Sequence, residues 1–214
     1  MSDARQLLAV GVAVVAACAM PKHADGQTRP ISIFIVRHAE TDQKPPTFRL
    51  TEAGRQRAGS LMHTFRDVKF TQIFASHTSW ARETVEPLAT AHGLKVVQLP
   101  RPGSTVDGDV ITDETSRRAA IEPVAAALKE LPAGSIVLAV LNGENIFAIL
   151  NRLGVPVATV GQTCSAGNMC VPCTDNSCFP QKEFDHLWHL MLEPGRAEPL
   201  SFVHLRYGPG SRTE

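Results

Sequence analysis

Short apolar runs alternating with amphipathic segments constrain this chain more than any other feature. Ile31–Val36, Gln72–Ala75, Lys95–Leu99 and Ser135–Leu141 are too short for helices and are bounded by charged or turn-forming residues, so they read as strands. Ile31–Val36 is an apolar run of the kind expected for a strand buried on both faces, and Ser135–Leu141 is another. Between them, Leu50–Arg66, Ser79–His92, Ser116–Glu130 and Glu144–Leu153 read as helices. The first carries Ala58, Leu61, Met62 and Phe65 at helical spacing, with Thr51 as its N-cap. The second accommodates Pro87, and Gly154 ends the fourth. His186–Leu192 and Leu200–Arg206 read as a hairpin, and Pro100–Thr112, rich in Gly, Pro and Asp, as a loop. The alternation predicts an α/β fold: a three-layer sandwich with a mostly parallel central sheet and helices on both faces.

Composition sets the outer limits. At 214 residues the chain is sized for one domain with a substantial core. A hydrophobic fraction of 43% with 20% charged residues excludes global disorder. Lys+Arg and Asp+Glu balance at 21 each, so the basic excess of nucleic-acid binders is missing and no such partner is expected. The start of the chain reads separately. Leu7–Ala17 is almost wholly apolar, follows a short polar stretch containing Arg5, and is too short for a span of about 20 apolar residues. Residues 1–18 are therefore expected to be a secretory signal, 19–30 a linker, and 31–214 the folded domain. Val15-Ala16-Ala17-Cys18 resembles a lipobox, with Cys18 lipidated and attached to a membrane; Ala17-Cys18-Ala19 also fits ordinary small-x-small cleavage. Either way the chain is expected to be exported, to the periplasm or to a membrane anchor facing it.

Setting Cys18 aside leaves Cys164, Cys170, Cys173 and Cys178, all in one polar, Gly- and Ser-containing stretch. In an exported protein an even cluster in a loop reads first as two disulfides, with three pairings open. The Cys170-x-x-Cys173 spacing also suits zinc, and Cys170-Val171-Pro172-Cys173 suits redox chemistry, although no helix start follows to lower a thiolate pKa.

In α/β sheets ligands sit beyond the carboxyl ends of the strands. Three junctions fall there: Arg37-His38 after the first strand, Ser76-His77 after the second, and Asn142-Gly143-Glu144 after Ser135–Leu141. Backbone N–H groups at strand-to-helix junctions favour anions. An imidazole can attack phosphorus and carry the phosphoryl group, and a guanidinium can grip two phosphate oxygens.

Ile33–Thr41 (IFIVRHAET), Leu50–Gly54 (LTEAG) and Ser76–Ala89 (SHTSWARETVEPLA) follow one another in an order that resembles the histidine phosphatase superfamily, whose fold is phosphoglycerate-mutase-like. The resemblance extends through Ile136–Leu150 to Phe184-Asp185-His186-Leu187-Trp188 and covers most of Ile31–Tyr207. It implies that His38 is the nucleophile, that Arg37 and Thr41 line the phosphate pocket, and that the substrate is a phosphorylated small molecule, with no cofactor.

Two positions depart from the family pattern. Aligned on Ser76, Ala81 and Thr84, Trp80 stands where a second phosphate-binding Arg belongs. Arg82 is two residues on, about 200° around a helix, and is not expected to face the pocket unless the backbone shifts. Asn142 occupies the place of a second His, so a hydrogen-bond donor replaces a group able to carry charge. Removing one preorganised donor from a developing anion costs about 10²–10³ in rate, so phosphomonoester hydrolysis is expected to be weak, altered or lost. Trp80 reads either as a surface on which a ligand stacks or as helix packing. His77 is a candidate replacement cation. Among candidate proton donors, Asp107, Asp109, Asp113 and Glu114 lie in or beside the loop, and Glu144 stands closest to Asn142 in sequence. Three functions remain: a divergent binder of phosphorylated or other anionic small molecules, an active phosphomonoesterase using His38, and a metal- or redox-linked envelope protein using the Cys-rich loop.

Overall fold

The computed structural model describes residues 29–42, 48–99, 114–156 and 183–210, with the backbone alone at 114–120 and at 144. The segment containing Cys18, the loop with Asp107, Asp109 and Asp113, and the stretch holding Cys164, Cys170, Cys173 and Cys178 lie outside the described residues. Within them the elements run β1 (Ile31–Arg37), α1 (Glu52–Phe65), β2 (Gln72–Ala75), α2 (Ser79–Ala91), β3 (Val96–Gln98), α3 (Glu114–Lys129), β4 (Ile136–Leu141), α4 (Gly143–Arg152), β5 (His186–Leu192) and β6 (Ser201–Arg206). Every predicted element is present. α3 begins two residues earlier than its apolar pattern indicated, because Glu114 and Thr115 form a polar first turn that an apolar pattern does not register.

The strands make one six-stranded sheet in the order β3-β2-β4-β1-β5-β6. The β2–β3, β2–β4 and β1–β4 pairs are parallel, and β5 and β6 add an antiparallel hairpin at one edge. Period-two alternation sorts the side chains into two cores. Ile31, Ile33 and Ile35 of β1 join Val137, Ala139 and Leu141 of β4 against α3 and α4, through Ile121, Val124, Leu128, Ile146, Ile149 and Leu150. Val36, Leu138 and Val140 point the other way, onto Leu61 and Phe65 of α1 and Val85 and Leu88 of α2. Each fully buried Ile or Leu stabilises the fold by roughly 1.5–3 kcal/mol relative to exposure. Fixing the central strands between two such layers also fixes where β1, β4 and β2 end. Among the described residues, no helix is long and apolar enough to cross a membrane.

Two glycines mark places where the backbone must approach closely. Gly154, at φ +89°, turns the chain out of α4, and a Cβ there would lie 2.0 Å from the Ala197 carbonyl oxygen. Gly54, in the first turn of α1, faces the Glu40 carbonyl oxygen, which a Cβ would approach to 2.2 Å. Thr51 caps the same helix as predicted, its hydroxyl accepting from the Gly54 N–H at 3.1 Å.

Candidate functional site

The register of the sheet sets Arg37 beside Leu141, and the His38 N–H donates to the Leu141 carbonyl at 3.0 Å. The Ser76 N–H donates to the Val140 carbonyl at 2.8 Å. Arg37-His38, Asn142-Gly143 and Ser76 are thus gathered at the carboxyl ends of β1, β4 and β2.

His38 is buried, and its Nδ1 lies 2.8 Å from the Ala39 carbonyl oxygen. A carbonyl only accepts, so Nδ1 carries the proton and Nε2 keeps its lone pair. Thr84 braces this arrangement: its hydroxyl accepts from the Ala39 N–H at 2.9 Å and donates to the Trp80 carbonyl at 2.7 Å. Burial, with the Arg37 charge beside it, lowers the His38 pKa to about 3, against which the bond to Ala39 works only partly. The ring is therefore neutral at physiological pH. Because its pKa in the fold lies below the ordinary 6.5, the unfolded chain binds a proton here that the folded chain does not. The stability this confers is complete above about pH 6.5 and is lost as pH falls toward 3. His38→Gln should remove about one proton, or about 1.4 kcal/mol per pH unit, from the slope of unfolding free energy against pH in that window. Denaturant titrations across the window check this, and an unchanged slope would show that the imidazole titrates normally in the fold.

Arg37 is also buried. One guanidinium nitrogen donates to the Glu183 carbonyl at 3.0 Å, and the group lies over the Phe184 ring, 4.1 Å from its centroid. It packs on the first residue of α4, where a Cβ on Gly143 would stand 2.9 Å from Arg37 Nε. The guanidinium therefore sits at the positive end of a helix, an arrangement that favours an anion between the two. Asn142 precedes that helix, but its side chain does not cap it. Its Oδ1 accepts from the Ser76 hydroxyl at 3.0 Å and the Thr78 hydroxyl at 3.2 Å, which leaves the NH₂ as its donor side.

Aromatic rings flank His38. Trp80 meets it edge-on at 6.0 Å between centroids, and Phe184 is also at 6.0 Å. Trp80 packs against Ala39, Leu50 and Ala58 and lies 5.5 Å from Phe48, which holds a left-handed φ of 37°. Its indole Nε1 is buried with no hydrogen-bond partner among the described residues. The ring therefore packs on α1 and on Ala39, as the helix-packing reading has it, and it also stands beside His38.

The remaining candidates fall elsewhere. Arg82 lies on the exposed face of α2, 3.3 Å from Glu86, as its 200° offset implies, and is not brought to His38. Thr41 pairs through its backbone with Leu50. His77 follows Ser76, half-buried, with its carbonyl accepting from Gln98 at 2.9 Å. Glu144 is the second residue of α4, and its side chain lies outside the described residues, as does that of Glu114.

Several contributors escaped the sequence reading. Glu40 forms an ion pair with the buried Arg57 at 2.7 Å, which fixes the turn just after His38. Glu183 and Phe184, remote in sequence, hold Arg37. They are themselves held by Asp185, His186 and Arg206: the Arg206 guanidinium donates to Asp185 at 2.9 Å and Glu183 at 2.8 Å, and His186 bridges Glu183 at 2.5 Å and His204 at 2.7 Å. Glu183, Asp185 and His186 carry ligand atoms within 4.8 Å of one another. Arg206 already answers both carboxylates, so a metal ion there would have to displace its guanidinium. The Phe184-Asp185-His186 segment entered the sequence reading only through its resemblance to a family's late strand, and nothing in it announced a contact with Arg37.

Residues 33–101 match the histidine phosphatase superfamily (branch 1). A comparison with curated protein sequences finds no match. Solved structures share the fold. A structure described as mycobacterial hydrolase 2 is 18% identical, with 87% of this chain and 94% of that one aligned at a TM-score of 0.51. The mycobacterial glucosyl-3-phosphoglycerate phosphatase is 17% identical over 84% of this chain and 99% of its own, at 0.50. An open-reading-frame product of Mycobacterium tuberculosis is 14% identical over 85% and 99%, at 0.53. The α/β architecture of this chain, with helices on both faces of a mostly parallel sheet, is thus shared with these structures.

Proposed function

We propose that this chain is a divergent member of the histidine phosphatase superfamily that binds a phosphorylated or other anionic small molecule at His38, with phosphohydrolase activity weakened or altered. The observation that carries this reading is the pairing of a neutral His38, its Nε2 lone pair left available, with the Arg37 guanidinium at the start of α4. On this reading His38 Nε2 is the attacking atom and Arg37 one anion grip. The weakening follows from Trp80 and Asn142, which supply an uncharged wall and a neutral donor around the same nucleophile. We further propose export through the N-terminal segment, with Cys18 as a lipidation site or part of an ordinary cleavage site, and disulfides among Cys164, Cys170, Cys173 and Cys178.

Calorimetry with orthovanadate, paired with turnover of a chromogenic phosphate monoester, tests the functional reading. Wild type is expected to bind vanadate, and Arg37→Ala to weaken it by tenfold or more, about 1.4 kcal/mol, as for loss of a charge-assisted bond. Turnover is expected to fall well below the ordinary enzyme range of about 1–10³ s⁻¹. Turnover inside that range, abolished by His38→Ala, would instead make the chain an active phosphomonoesterase. That second reading is favoured by the fixed tautomer of His38, a geometry suited to attack.

A further inference from the structure

Arg37 rests on a segment that is itself tied down from the edge of the sheet. What Glu183 presents to Arg37 is its backbone carbonyl, at 3.0 Å, and the next residue, Phe184, presents its ring at 4.1 Å. The side chains flanking that ring are held by the β5–β6 hairpin instead. Glu183 Oε2 accepts from the Arg206 guanidinium at 2.8 Å and from His186 Nε2 at 2.5 Å. Asp185 accepts from Arg206 through both oxygens, at 2.9 and 3.0 Å, and its carbonyl accepts from the Tyr207 N–H at 2.9 Å. Because a carboxylate only accepts, His186 turns its Nε2–H to Glu183, and its Nδ1 accepts from His204 at 2.7 Å. The His186 ring also stacks with those of Trp188 and His204. Glu183 and Asp185 are only 8% and 3% exposed. Two carboxylates buried side by side need a cation to answer them, and the Arg206 guanidinium touches both. Loss of the Glu183 side chain would loosen the carbonyl and the ring that seat Arg37.

We propose that Glu183 is a positioning residue for Arg37, its carboxylate fixing the carbonyl and the adjoining ring that aim the guanidinium, so that the hairpin at the sheet edge sets how tightly an anion is held at the end of β1. This rests on the reading of His38 and Arg37 as an anion site. Arg37 has other interactions as well, and Glu183 is assigned a share of its hold. Glu183→Ala is the informative variant, because it removes the carboxylate and keeps the backbone carbonyl. Arg206 retains Asp185 in that variant, so the hairpin keeps its own ion pair. Orthovanadate affinity, read by calorimetry, should fall about tenfold, the loss expected when a charge-assisted contact is weakened. Glu183→Gln should recover most of that loss, because an amide oxygen can accept from the same two donors. In an Arg37→Ala background Glu183→Ala should change vanadate affinity no further, as a double-mutant cycle requires of a residue acting through another. A second measurement needs no anion. In protein carrying isotope-labelled arginine, NMR identifies the Arg37 guanidinium by the signal lost in Arg37→Lys. That group should rotate faster in Glu183→Ala, while Arg57, held by Glu40 and the Pro209 carbonyl, serves as the unchanged reference.

Equal vanadate affinity in folded Glu183→Ala and wild type would overturn the assignment and leave the anion site standing. An equal loss in the Arg37→Ala background would overturn it too, because Glu183 would then act by a route other than Arg37. If wild type binds no vanadate at millimolar concentration, the anion reading fails, and the guanidinium rotation decides the positioning: faster rotation in Glu183→Ala upholds it, and an unchanged rate removes it. Should Glu183→Ala fail to fold, Arg206→Lys takes its place. An ammonium keeps the charge but not the fork that bridges Glu183 and Asp185, so the same fall in affinity is expected, and an unchanged affinity would again overturn the assignment.

Discussion

Replacing Trp80 with Arg and Asn142 with His in the same chain is expected to raise kcat/KM on a chromogenic phosphate monoester by about 10²-fold or more. Trp80 lies on the first turn of α2 with its ring 6.0 Å from the His38 ring, so a guanidinium on that stem reaches the space beside His38. Asn142 is held by the Ser76 and Thr78 hydroxyls. A neutral imidazole there can accept from one of these hydroxyls and donate its other N–H toward the transferring oxygens; when protonated it donates from both nitrogens and brings positive charge. Each group alone is worth about 10²–10³ when lost from a complete site, and the two act on one charge, so their gains will not multiply. Circular dichroism and a denaturation curve establish that the double variant folds, and His38→Ala in the same background should return turnover to baseline. If a folded double variant gains nothing, the site has been rebuilt for another ligand rather than merely worn down.

The second large effect concerns stability. Gly54→Ala should destabilise the fold by about 3 kcal/mol, the upper part of the usual range for overpacking. The reason lies in what the new methyl would meet. It would stand 2.2 Å from the Glu40 carbonyl oxygen and 3.2 Å from the Glu40 backbone carbon and nitrogen, so no flexible side chain can move aside. That carbonyl already accepts from the Thr51 N–H at 2.9 Å. Pushing it back also strains the contact between Glu40 and Arg57, whose side chain is only 3% exposed and would be left as a poorly paired buried charge. For a domain of this size the melting temperature should drop by about 6–12 °C. Anion binding should weaken as well, because Glu40 lies two residues from His38. A neutral Gly54→Ala would mean that α1 and the turn after His38 move apart at little cost.

The fold was legible because its signals are local and repeated. Ile31, Ile33 and Ile35 alternate with Phe34 and Val36 in a way that only a two-sided strand satisfies, and Thr51 and Gly154 mark helix ends by chemistry that depends on a few neighbouring residues. The family match covers 33–101, where the motifs crowd together. The half of the site supplied by β1 and the β1–α1 turn was therefore readable in advance. The orientation of Arg82 was readable too, from helix geometry alone, and it stands where that geometry sends it. What could not be read was non-local. Thr84 bonds to Ala39 across the β1–α2 contact, and Glu183 holds Arg37 from 146 positions away. Neither partner has a spacing that sequence periodicity could expose. The diversion of Asn142 from its capping role to Ser76 and Thr78 was hidden for a further reason: an Asn before a helix normally serves as the cap.

The hold of Glu183 and Phe184 on Arg37 bears on when the pocket can exist. His38 is made early in synthesis, but the segment that seats its arginine comes from the last quarter of the chain and is itself braced by Arg206 and His204 of the final strand. A nascent chain that has reached residue 101 already carries Arg37 and His38, yet that arginine has neither Glu183 nor Phe184 to rest on. Pairing β5 with β1 is also among the most non-local steps of folding, and such steps are slow. On the proposed reading, anion binding would be withheld until the sheet closes, and its appearance during refolding would time the arrival of the C-terminal hairpin.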